Sequence, residues 1–340
     1  MKVLMICGSY PPEVCGVGDY TAKLIESLQR LGAEVTALHG MRWDWHATKM
    51  VRAAIARHSS DVIHIQYPSV GYGRSLMPQL LSIRVPAIVT LHEFSHVKAL
   101  RRAASVPFLL AGERLVFTSQ YELDYVRRRF PWIARKSVVI PIGANIVPVR
   151  RGQERQTDEV IYFGLIAPRK GLEQVLELAS NLKRDGSTLK VRLIGKVPGA
   201  FQAYAERLKE DAKHLPVVWT KDASELEVAE RLAGASVAYL PFPDGASERR
   251  GSLKAVLSAG VPCVSTRGKQ TSRQLQDVLS LASDSMDAVK SVKALLDDHS
   301  AWERASAKGV AYAESFRWES IARSHLDIYE ECYREGKRHR

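Results

Sequence analysis

The sequence lacks the cysteine pattern of a metal-bound or disulfide-stabilised protein. Its four cysteines, Cys7, Cys15, Cys263 and Cys332, form no CxxC pair and have no companion histidines at zinc spacing. Two of them lie inside apolar segments that read as core strands. We therefore expect a reduced, cytoplasmic protein with no bound metal and no disulfide framework.

Long apolar runs are also missing. No stretch approaches the ~18 continuous apolar residues of a membrane-spanning helix. The amino-terminal segment MKVLMICGSYPP has one lysine and a short apolar run. It predicts a first β-strand closed by a loop rather than a signal peptide.

A dinucleotide-binding fingerprint is absent too. The segment GVGDYT, which begins at Gly16, is nearly GxGxxG, but a Pro-Pro loop separates it from the first strand. The second predicted strand ends in ALHG, without a ribose-binding acid. A dinucleotide-dependent oxidoreductase or epimerase is therefore disfavoured. A glycine-rich loop that opens a helix still lets a phosphate approach backbone N–H groups, and a turn with positive φ is the structural alternative.

What the 340 residues do contain is a regular alternation of short apolar runs and helix-length segments. Six candidate strands, from KVLMIC to SVVIPIG, precede a polar linker at 148–157, and five more follow it, from EVIYFG to VPCVST. Such alternation predicts parallel sheets with helices on both faces. We predict an α/β protein of two doubly wound domains, 1–150 and 151–315, whose ligand lies in the cleft between them at the carboxyl ends of the strands.

The chain carries a formal net charge of +12, and much of the excess lies between residues 98 and 136. No nucleic-acid-binding motif accompanies it, so we expect no nucleic-acid partner. The basic residues there are interleaved with apolar ones: Val106, Phe108, Leu109, Leu110, Phe130, Trp132 and Ile133. This mixture fits an anionic bilayer surface. Solvated helix faces with aromatic side chains in the core fit it equally.

Two basic pairs precede predicted helices in the second half of the chain. Arg249 and Arg250 stand before the helical apolar pattern that begins at Leu253, and Arg169 and Lys170 stand before a helix in the same way. The helix macrodipole disfavours cations at these positions. Because both pairs follow strand ends of one domain, we infer that they share an external anion, a diphosphate. A separate explanation for each pair is the alternative.

His92 follows the fourth predicted strand, in the segment TLHEFSH. Side chains at the end of a parallel strand point toward the ligand cleft. A structural histidine with its hydrogen bonds satisfied is the alternative.

Six segments, taken in order, resemble the GT-B glycosyltransferases of the large retaining family four, which use nucleotide-sugar donors. They are SYPPEVCGVGDYTAKLIESLQRLGAEV, TLHEFSH, VVIPIGAN, FGLIAPRKGLEQVLELA, LKAVLSAGVPCVST and SFRWESIARSHLDIYEECYRE. The resemblance covers nearly the whole chain. It implies two Rossmann-like domains, acceptor-side first and donor-binding second, with a helix at 316–336 that crosses back onto the first.

The resemblance also implies roles for individual residues. Fixed cations would stabilise the departing diphosphate, with no metal and no cofactor, in keeping with the absence of a DxD motif. The catalytic set would be His92, Lys170, Asp244 and Arg250. The donor diphosphate and sugar would contact Gly16, Val17, Arg169, Lys170, Arg249, Arg250, Gly251, Ser252 and Leu253. The acceptor side would hold Asp19, Tyr20 and His92.

The chain departs from the family pattern where relatives usually carry two glutamates eight positions apart. Here those positions are Ala246 and Lys254. A lysine accepts no hydrogen bond from ribose hydroxyls, so nucleotide recognition must differ. Asp244 or Glu248 would take over contacts to the donor sugar, and Asp244 is favoured because it follows the strand end more closely.

A second departure is Leu165, where many relatives have an arginine. Arg169, Arg249 or Arg250 would supply that charge. The RRGS loop marks a divergent branch of the family, so the identity of the donor does not carry over.

The resemblance implies a retaining, metal-independent hexosyltransferase. It would move a sugar from a nucleoside diphosphate to an acceptor hydroxyl, in polysaccharide, glycolipid or glycoconjugate biosynthesis. The basic first domain favours a glycan or lipid-linked acceptor at the cytoplasmic face of a membrane. The lost glutamate pair motivates the alternative, a non-catalytic nucleotide- or phospholigand-binding protein on a degenerate GT-B scaffold.

Overall fold

A computed structural model describes residues 1–13, 15–44, 48–95, 97, 99–144, 146, 158–221 and 223–338. The chain divides into two compact units, Met1–Gly143 with Arg317–Arg340, and Ala144–Phe316. The predicted linker at 148–157 and the predicted boundary at 150/151 lie outside the described residues.

The first unit contains six strands and seven helices among its described residues. The strands are β1 (Lys2–Ile6), β2 (Glu34–Leu38), β3 (Val62–Tyr67), β4 (Ile88–Leu91), β5 (Arg114–Phe117) and β6 (Ser137–Val139). The helices are α1 (Gly16–Arg30), α2 (Thr48–Arg57), α3 (Met77–Arg84), α4 (Ala99–Ala104), α5 (Val106–Ala111), α6 (Gln120–Arg127) and, from the end of the chain, α14 (Trp318–Arg338).

The strands of the first unit form one parallel sheet in the order β2-β1-β3-β4-β5-β6. One face packs under α3 and α5, and the other under α1 and α14. The strand order reverses between β1 and β3, and ligands of open α/β sheets bind at the carboxyl ends of the strands at such a switch point.

The second unit also contains six strands and seven helices among its described residues. The strands are β7 (Glu159–Phe163), β8 (Lys190–Gly195), β9 (Val217–Lys221), β10 (Val237–Leu240), β11 (Cys263–Thr266) and β12 (Ser280–Ala282). The helices are α7 (Leu172–Arg184), α8 (Gln202–Asp211), α9 (Glu225–Ala233), α10 (Gly251–Ser258), α11 (Arg273–Val278), α12 (Ser285–Asp297) and α13 (His299–Ala313).

These strands form a second parallel sheet in the order β12-β11-β10-β7-β8-β9. Its switch point lies between β7 and β10, so a ligand is expected between the loops that follow those two strands. The predicted fold class, α/β with two doubly wound parallel sheets, is confirmed. The short strand β12 was not predicted.

Across the described part of the chain, no helix combines the length and apolarity that crossing a bilayer requires.

Candidate functional site

A cavity of about 560 Å³ opens at the switch point of the second sheet. Its wall is built by the ends of β7 and β8 and the starts of α9 and α10. The lining residues are Ile146, Tyr162, Phe163, Gly164, Leu165, Lys170, Ile194, Gly195, Lys196, Ala223, Ser224, Glu225, Val228, Phe242, Arg249, Arg250, Gly251 and Ser252. The cavity therefore brings together four cations and the amino end of a helix.

The loop after β7 is fixed from below by a buried tyrosine. The Tyr162 hydroxyl lies 3.3 Å from the carbonyl oxygen of Leu165 and 3.2 Å from that of Lys170. Burial raises the pKa of Tyr162, so the hydroxyl keeps its proton and donates it. The loop that carries Lys170 is thus held in one conformation against the sheet.

Gly171 completes that loop with a φ of +81°. A Cβ atom at this position would lie 1.8 Å from the carbonyl oxygen of Pro241, in the loop after β10. Only glycine allows the two switch-point loops to approach this closely.

Arg249 and Arg250 both line the cavity, but of the other predicted basic pair, Arg169 and Lys170, only the lysine does. Lys170 is half-buried in the cavity wall. Arg169 is exposed, has a φ of +60°, and is not among the described residues that line the cavity. The structure therefore places Lys170, and not Arg169, with the arginines of α10.

Arg250 is constrained on three sides. Its backbone forms the N-cap of α10, its guanidinium lies 4.8 Å from the centroid of the Phe242 ring, and Asp244 accepts a charged hydrogen bond from it. Its Nε–H is buried and has no hydrogen-bond partner among the residues that the structure describes. A buried donor left unpaired is costly, which marks this edge of the guanidinium as a place for an acceptor.

Asp244 does not occupy the position that was predicted for it. Its side chain is 72% exposed, it pairs with Arg250, and it is not among the described lining residues. Gly245, with a φ of +88°, turns the chain directly after Asp244, and the Asp244 carboxylate pairs with Arg250, six residues further on. Asp244 can thus act on a ligand through Arg250.

Gly251 and Ser252 line the cavity as predicted, whereas the Leu253 side chain is buried in the core of the second unit. The Glu248 carboxylate, the alternative to Asp244, accepts a hydrogen bond from the Tyr312 hydroxyl at 3.3 Å and is not among the described lining residues.

In the first unit, the loop after β1 meets the loop after β3 at the switch point. The Ser9 N–H donates to the Ser69 hydroxyl at 2.8 Å, and the Gly71 N–H donates to the Ser9 hydroxyl at the same distance. These bonds fix the loop that leads into α1.

Gly16 and Gly18 both lie in α1, and neither has a positive φ, so the turn offered as the alternative is wrong. A Cβ on Gly18 would lie 2.9 Å from the Ser9 carbonyl oxygen, whereas one on Gly16 would meet nothing within 4 Å. Gly18 is therefore the packing glycine. Gly16, the half-buried Val17 and the exposed Asp19 leave the first turn of α1 accessible.

His92 and Tyr20 are interior residues. His92 Nε2 lies 2.8 Å from Gln66 Oε1, and the Tyr20 ring stands edge-on to the imidazole at 4.8 Å between centroids. Burial, with a contribution from His325, lowers the pKa of His92 to about 3, so the ring is neutral. Both residues were predicted for the acceptor side, and both are buried; His92 directly follows β4.

Comparison with known proteins adds to this geometry. Residues 37–147 match the model of Glycosyltransferase Family 4. Over 289 residues, the chain is 26% identical to YqgM, an uncharacterized glycosyltransferase of Bacillus subtilis. The match covers 77% of this chain and 80% of YqgM.

Solved structures share the fold over nearly the whole chain. The Rickettsia africae glycosyltransferase is 13% identical, with a TM-score of 0.72, and the match covers 97% of this chain and 98% of that one. Anabaena HepE, solved with UDP and glucose, is 14% identical, with a TM-score of 0.68, covering 97% and 100%.

The chain is similar to glycosyltransferases of family 4 and has the GT-B fold.

Several residues that line the cavity were not predicted from the sequence. Lys196 directly follows β8, and Ser224 and Glu225 begin α9, where the Ser224 hydroxyl accepts a hydrogen bond from the Glu227 N–H. Only their positions in the sequence could have identified them. Lys196 follows β8, which neighbours β7, and Ser224 and Glu225 follow β9, one strand further out. Glu225 is the one carboxylate among the described lining residues.

Within its described residues, the glycosyltransferase has no cluster of three or more His, Cys, Asp or Glu side chains placed to hold a metal ion.

Proposed function

We propose that this glycosyltransferase transfers a hexosyl group from a nucleoside-diphosphate sugar, with the donor diphosphate bound in the cavity of the second unit. The observation that carries the proposal is the convergence of Lys170, Arg249 and Arg250 with the amino end of α10 on one cavity wall. Arginine suits phosphate because its fork forms bidentate, charge-assisted hydrogen bonds. The exposed N–H groups of Gly251 and Ser252 add the positive end of the helix dipole.

This arrangement answers why two arginines stand at a helix N-terminus, where cations are disfavoured. A bound dianion interacts favourably with both the helix end and the arginines, so the net electrostatic interaction at this helix end becomes favourable. The unpaired Nε–H of Arg250 supplies a ready donor for it. HepE, which shares the fold, was solved with UDP and glucose, and a pneumococcal transferase with UDP and GlcNAc.

In the proposed reaction, the acceptor hydroxyl oxygen bonds to the anomeric carbon as the bond from that carbon to the diphosphate oxygen breaks. The hydroxyl proton passes to the departing diphosphate. Attack on the same face retains the anomeric configuration and needs no carboxylate nucleophile. Lys170, Arg249 and Arg250 stabilise the charge that develops on the leaving group, without a metal or a cofactor.

The acceptor is proposed to be a glycan or a lipid-linked molecule at the cytoplasmic face of an anionic membrane, in polysaccharide, glycolipid or glycoconjugate assembly. Within 98–136, Phe108, Leu109 and Ile133 are core residues, so the amphipathic interpretation fails for them. The carboxyl edge of the first sheet is different. A patch there combines apolar and basic side chains: Val70, Arg74, Leu76, Leu100 and Arg101.

This carboxyl-edge patch is exposed and continuous. Leu100 is 84% exposed and Val70 72% exposed, and the Arg101 guanidinium donates to the Gly73 carbonyl at 2.9 Å, which joins α4 to the loop after β3. Apolar insertion with neighbouring cations fits anionic lipid. We expect co-sedimentation with phosphatidylglycerol vesicles that weakens with salt and in Leu100→Glu. The control Ile83→Glu changes an exposed apolar residue before β4 and should bind normally. Equal binding of both variants, or none by the parent, would remove the membrane role.

The donor proposal is tested by thermal unfolding and calorimetry with UDP, GDP, dTDP, CDP, ADP and NAD. A diphosphate at about 100 times its dissociation constant adds ~2.7 kcal/mol to the unfolding free energy. Arg250→Ala and Lys170→Ala should abolish that gain. Arg169→Ala is the matched control, because it removes a neighbouring cation that is outside the cavity wall. No gain with any diphosphate, or an equal loss in Arg169→Ala, would contradict the proposal.

A non-catalytic nucleotide-binding protein is the second candidate, favoured by the absence of the glutamate pair at Ala246 and Lys254. It predicts diphosphate binding with neither sugar transfer nor hydrolysis of any nucleotide-sugar that binds. Release of nucleoside diphosphate from a bound donor would exclude it.

A further inference from the structure

The most unusual charged residue outside the cavity wall is Lys254. It lies in the second turn of α10 and is only 2% exposed. Its Nζ is 4.9 Å from the centroid of the Phe316 ring. Lysine is seldom fully buried unless a partner compensates its charge. Its burial explains why it is absent from the described lining residues, although the family resemblance implies a ribose-binding carboxylate at this position.

Glu248 supplies the compensating charge. It lies in the loop before α10, two residues before Arg250. Burial lowers the pKa of Lys254 to about 7, and the negative charge of Glu248 opposes that shift. The Glu248 carboxylate also accepts the hydrogen bond from Tyr312 of α13. The Tyr312 ring stands edge-on to Phe316 at 5.2 Å between centroids. Lys254, Glu248, Tyr312 and Phe316 thus form one cluster, the loop anchor.

The loop anchor joins the segment that carries both arginines to the far side of the second unit. The Lys254 N–H donates to the Arg250 carbonyl at 3.2 Å, so one lysine contacts the arginine loop through its backbone and, by charge, through Glu248. A glutamate at position 254 would set two carboxylates against each other in a buried place, which is strongly unfavourable. The change to lysine and the presence of Glu248 therefore belong together.

We infer that Lys254 is a positioning residue, which acts through Glu248 to hold Arg249 and Arg250 in the orientation that binds the donor diphosphate. This inference rests on the proposed function, because it concerns the same cavity. It gives the residue at the position of the lost carboxylate a role in fixing the phosphate site, in place of contact with ribose.

The first experiment measures hydrogen exchange of the 244–250 backbone amides without any ligand. Lys254→Met keeps the volume and removes the charge, and it should raise exchange in this loop. Val256→Ala is the control, because Val256 is a buried apolar residue of the same helix whose truncation lowers stability without touching the anchor. Equal exchange in the two variants, at matched unfolding temperature, would overturn the inference. This readout needs no nucleotide, so it stands even if the donor proposal fails.

The second experiment measures the dissociation constant of whichever nucleoside diphosphate stabilises the parent protein. Displacing a binding group by about 1 Å can cost up to about a hundredfold, so we expect Lys254→Met to weaken binding about tenfold or more. Lys254→Arg should retain binding. The exchanged pair Lys254→Glu with Glu248→Lys should recover most of what either single change loses. Parent binding with no loss in Lys254→Met would overturn the anchor and leave the donor site intact.

Discussion

The two units use the same sheet architecture but treat the polar groups near their switch points in opposite ways. In the first unit, His64, Gln66, Thr90 and His92 are buried and satisfy one another. The two ring nitrogens of His64 reach the Tyr329 and Thr90 hydroxyls at 2.6 and 2.8 Å. In the second unit, Lys170, Arg249 and Arg250 line an open cavity.

This difference separates two kinds of chemistry. Burial lowers the pKa of His64, His92 and His325, so these rings are neutral and provide hydrogen bonds rather than charge. The half-exposed cations of the second unit stand in an open cavity, where they can meet an anion. The proposed transfer would use both, because part of the donor would leave as a diphosphate and the acceptor would arrive as a neutral hydroxyl.

The largest expected effect tests the close approach of the loops in the second unit. Gly171→Ala would force a Cβ against the Pro241 carbonyl oxygen and strain a positive φ, so we expect it to lower the unfolding free energy by about 3 kcal/mol. Urea unfolding measures this loss.

The counterpart in the first unit is Gly16→Ala, whose Cβ meets nothing within 4 Å. We expect its stability to stay within about 0.5 kcal/mol of the parent. If Gly16 lets the donor approach, the same variant should lose donor affinity at unchanged stability. A large destabilisation there would mean that the two loops are constrained alike.

An intermediate effect concerns pH. Burial lowers the pKa of His92 to about 3 and that of His325 to about 4, both below the usual 6.5. The unfolded chain therefore binds these protons as the pH falls through 6.5, whereas the folded chain does not until about pH 4. Stability should fall across this window, by up to ~1.4 kcal/mol per pH unit for each histidine.

The variant His325→Leu should remove the contribution of one histidine from the slope of stability against pH. Its Nδ1 contacts only the Ile321 carbonyl among described groups and its Nε2 has no partner, so leucine leaves no other donor unpaired. The control Val256→Ala changes a buried residue without a titratable group, so it should lower stability equally at pH 5 and pH 7.5. An unchanged slope in His325→Leu would show that the buried network does not set the acid response.

The smallest effect concerns Asp244. An exposed ion pair contributes up to about 1 kcal/mol, so we expect Asp244→Asn to weaken donor affinity by fivefold at most, less than Arg250→Ala. Titration at low and high salt measures it. A loss as large as that of Arg250→Ala would mean that Asp244 contacts the substrate directly.

The alternation of strands and helices in two doubly wound units followed from sequence because apolar runs and helix periodicity are local properties. Lys170, Arg249 and Arg250 were expected together because both basic pairs follow strand ends, and Gly251 and Ser252 were expected there from the family resemblance. Contacts made across the fold did not. The burial of Lys254 depends on Phe316, which comes from elsewhere in the chain, whereas the pairing of Asp244 with Arg250 depends on the turn at Gly245.

The same limit applies to the aromatic and aliphatic residues of the basic region. Phe108 and Leu109 belong to the core, whereas Leu110, next in the chain, is exposed. A six-residue helix is too short for its apolar face to be read from periodicity. The strand β12, three residues long at the sheet edge, gave no clear apolar run either.

The helix α14 has a consequence for how the protein is made. It covers one face of the first sheet with Ile321, Ala322, Ile328, Tyr329 and Cys332, and Tyr329 completes the partners of His64. During synthesis, the second unit therefore has all its residues before the first can close its core. Until α14 is made, that face of the amino-terminal sheet is covered by α1 alone, and chaperones that shield apolar faces would meet this part of the nascent chain.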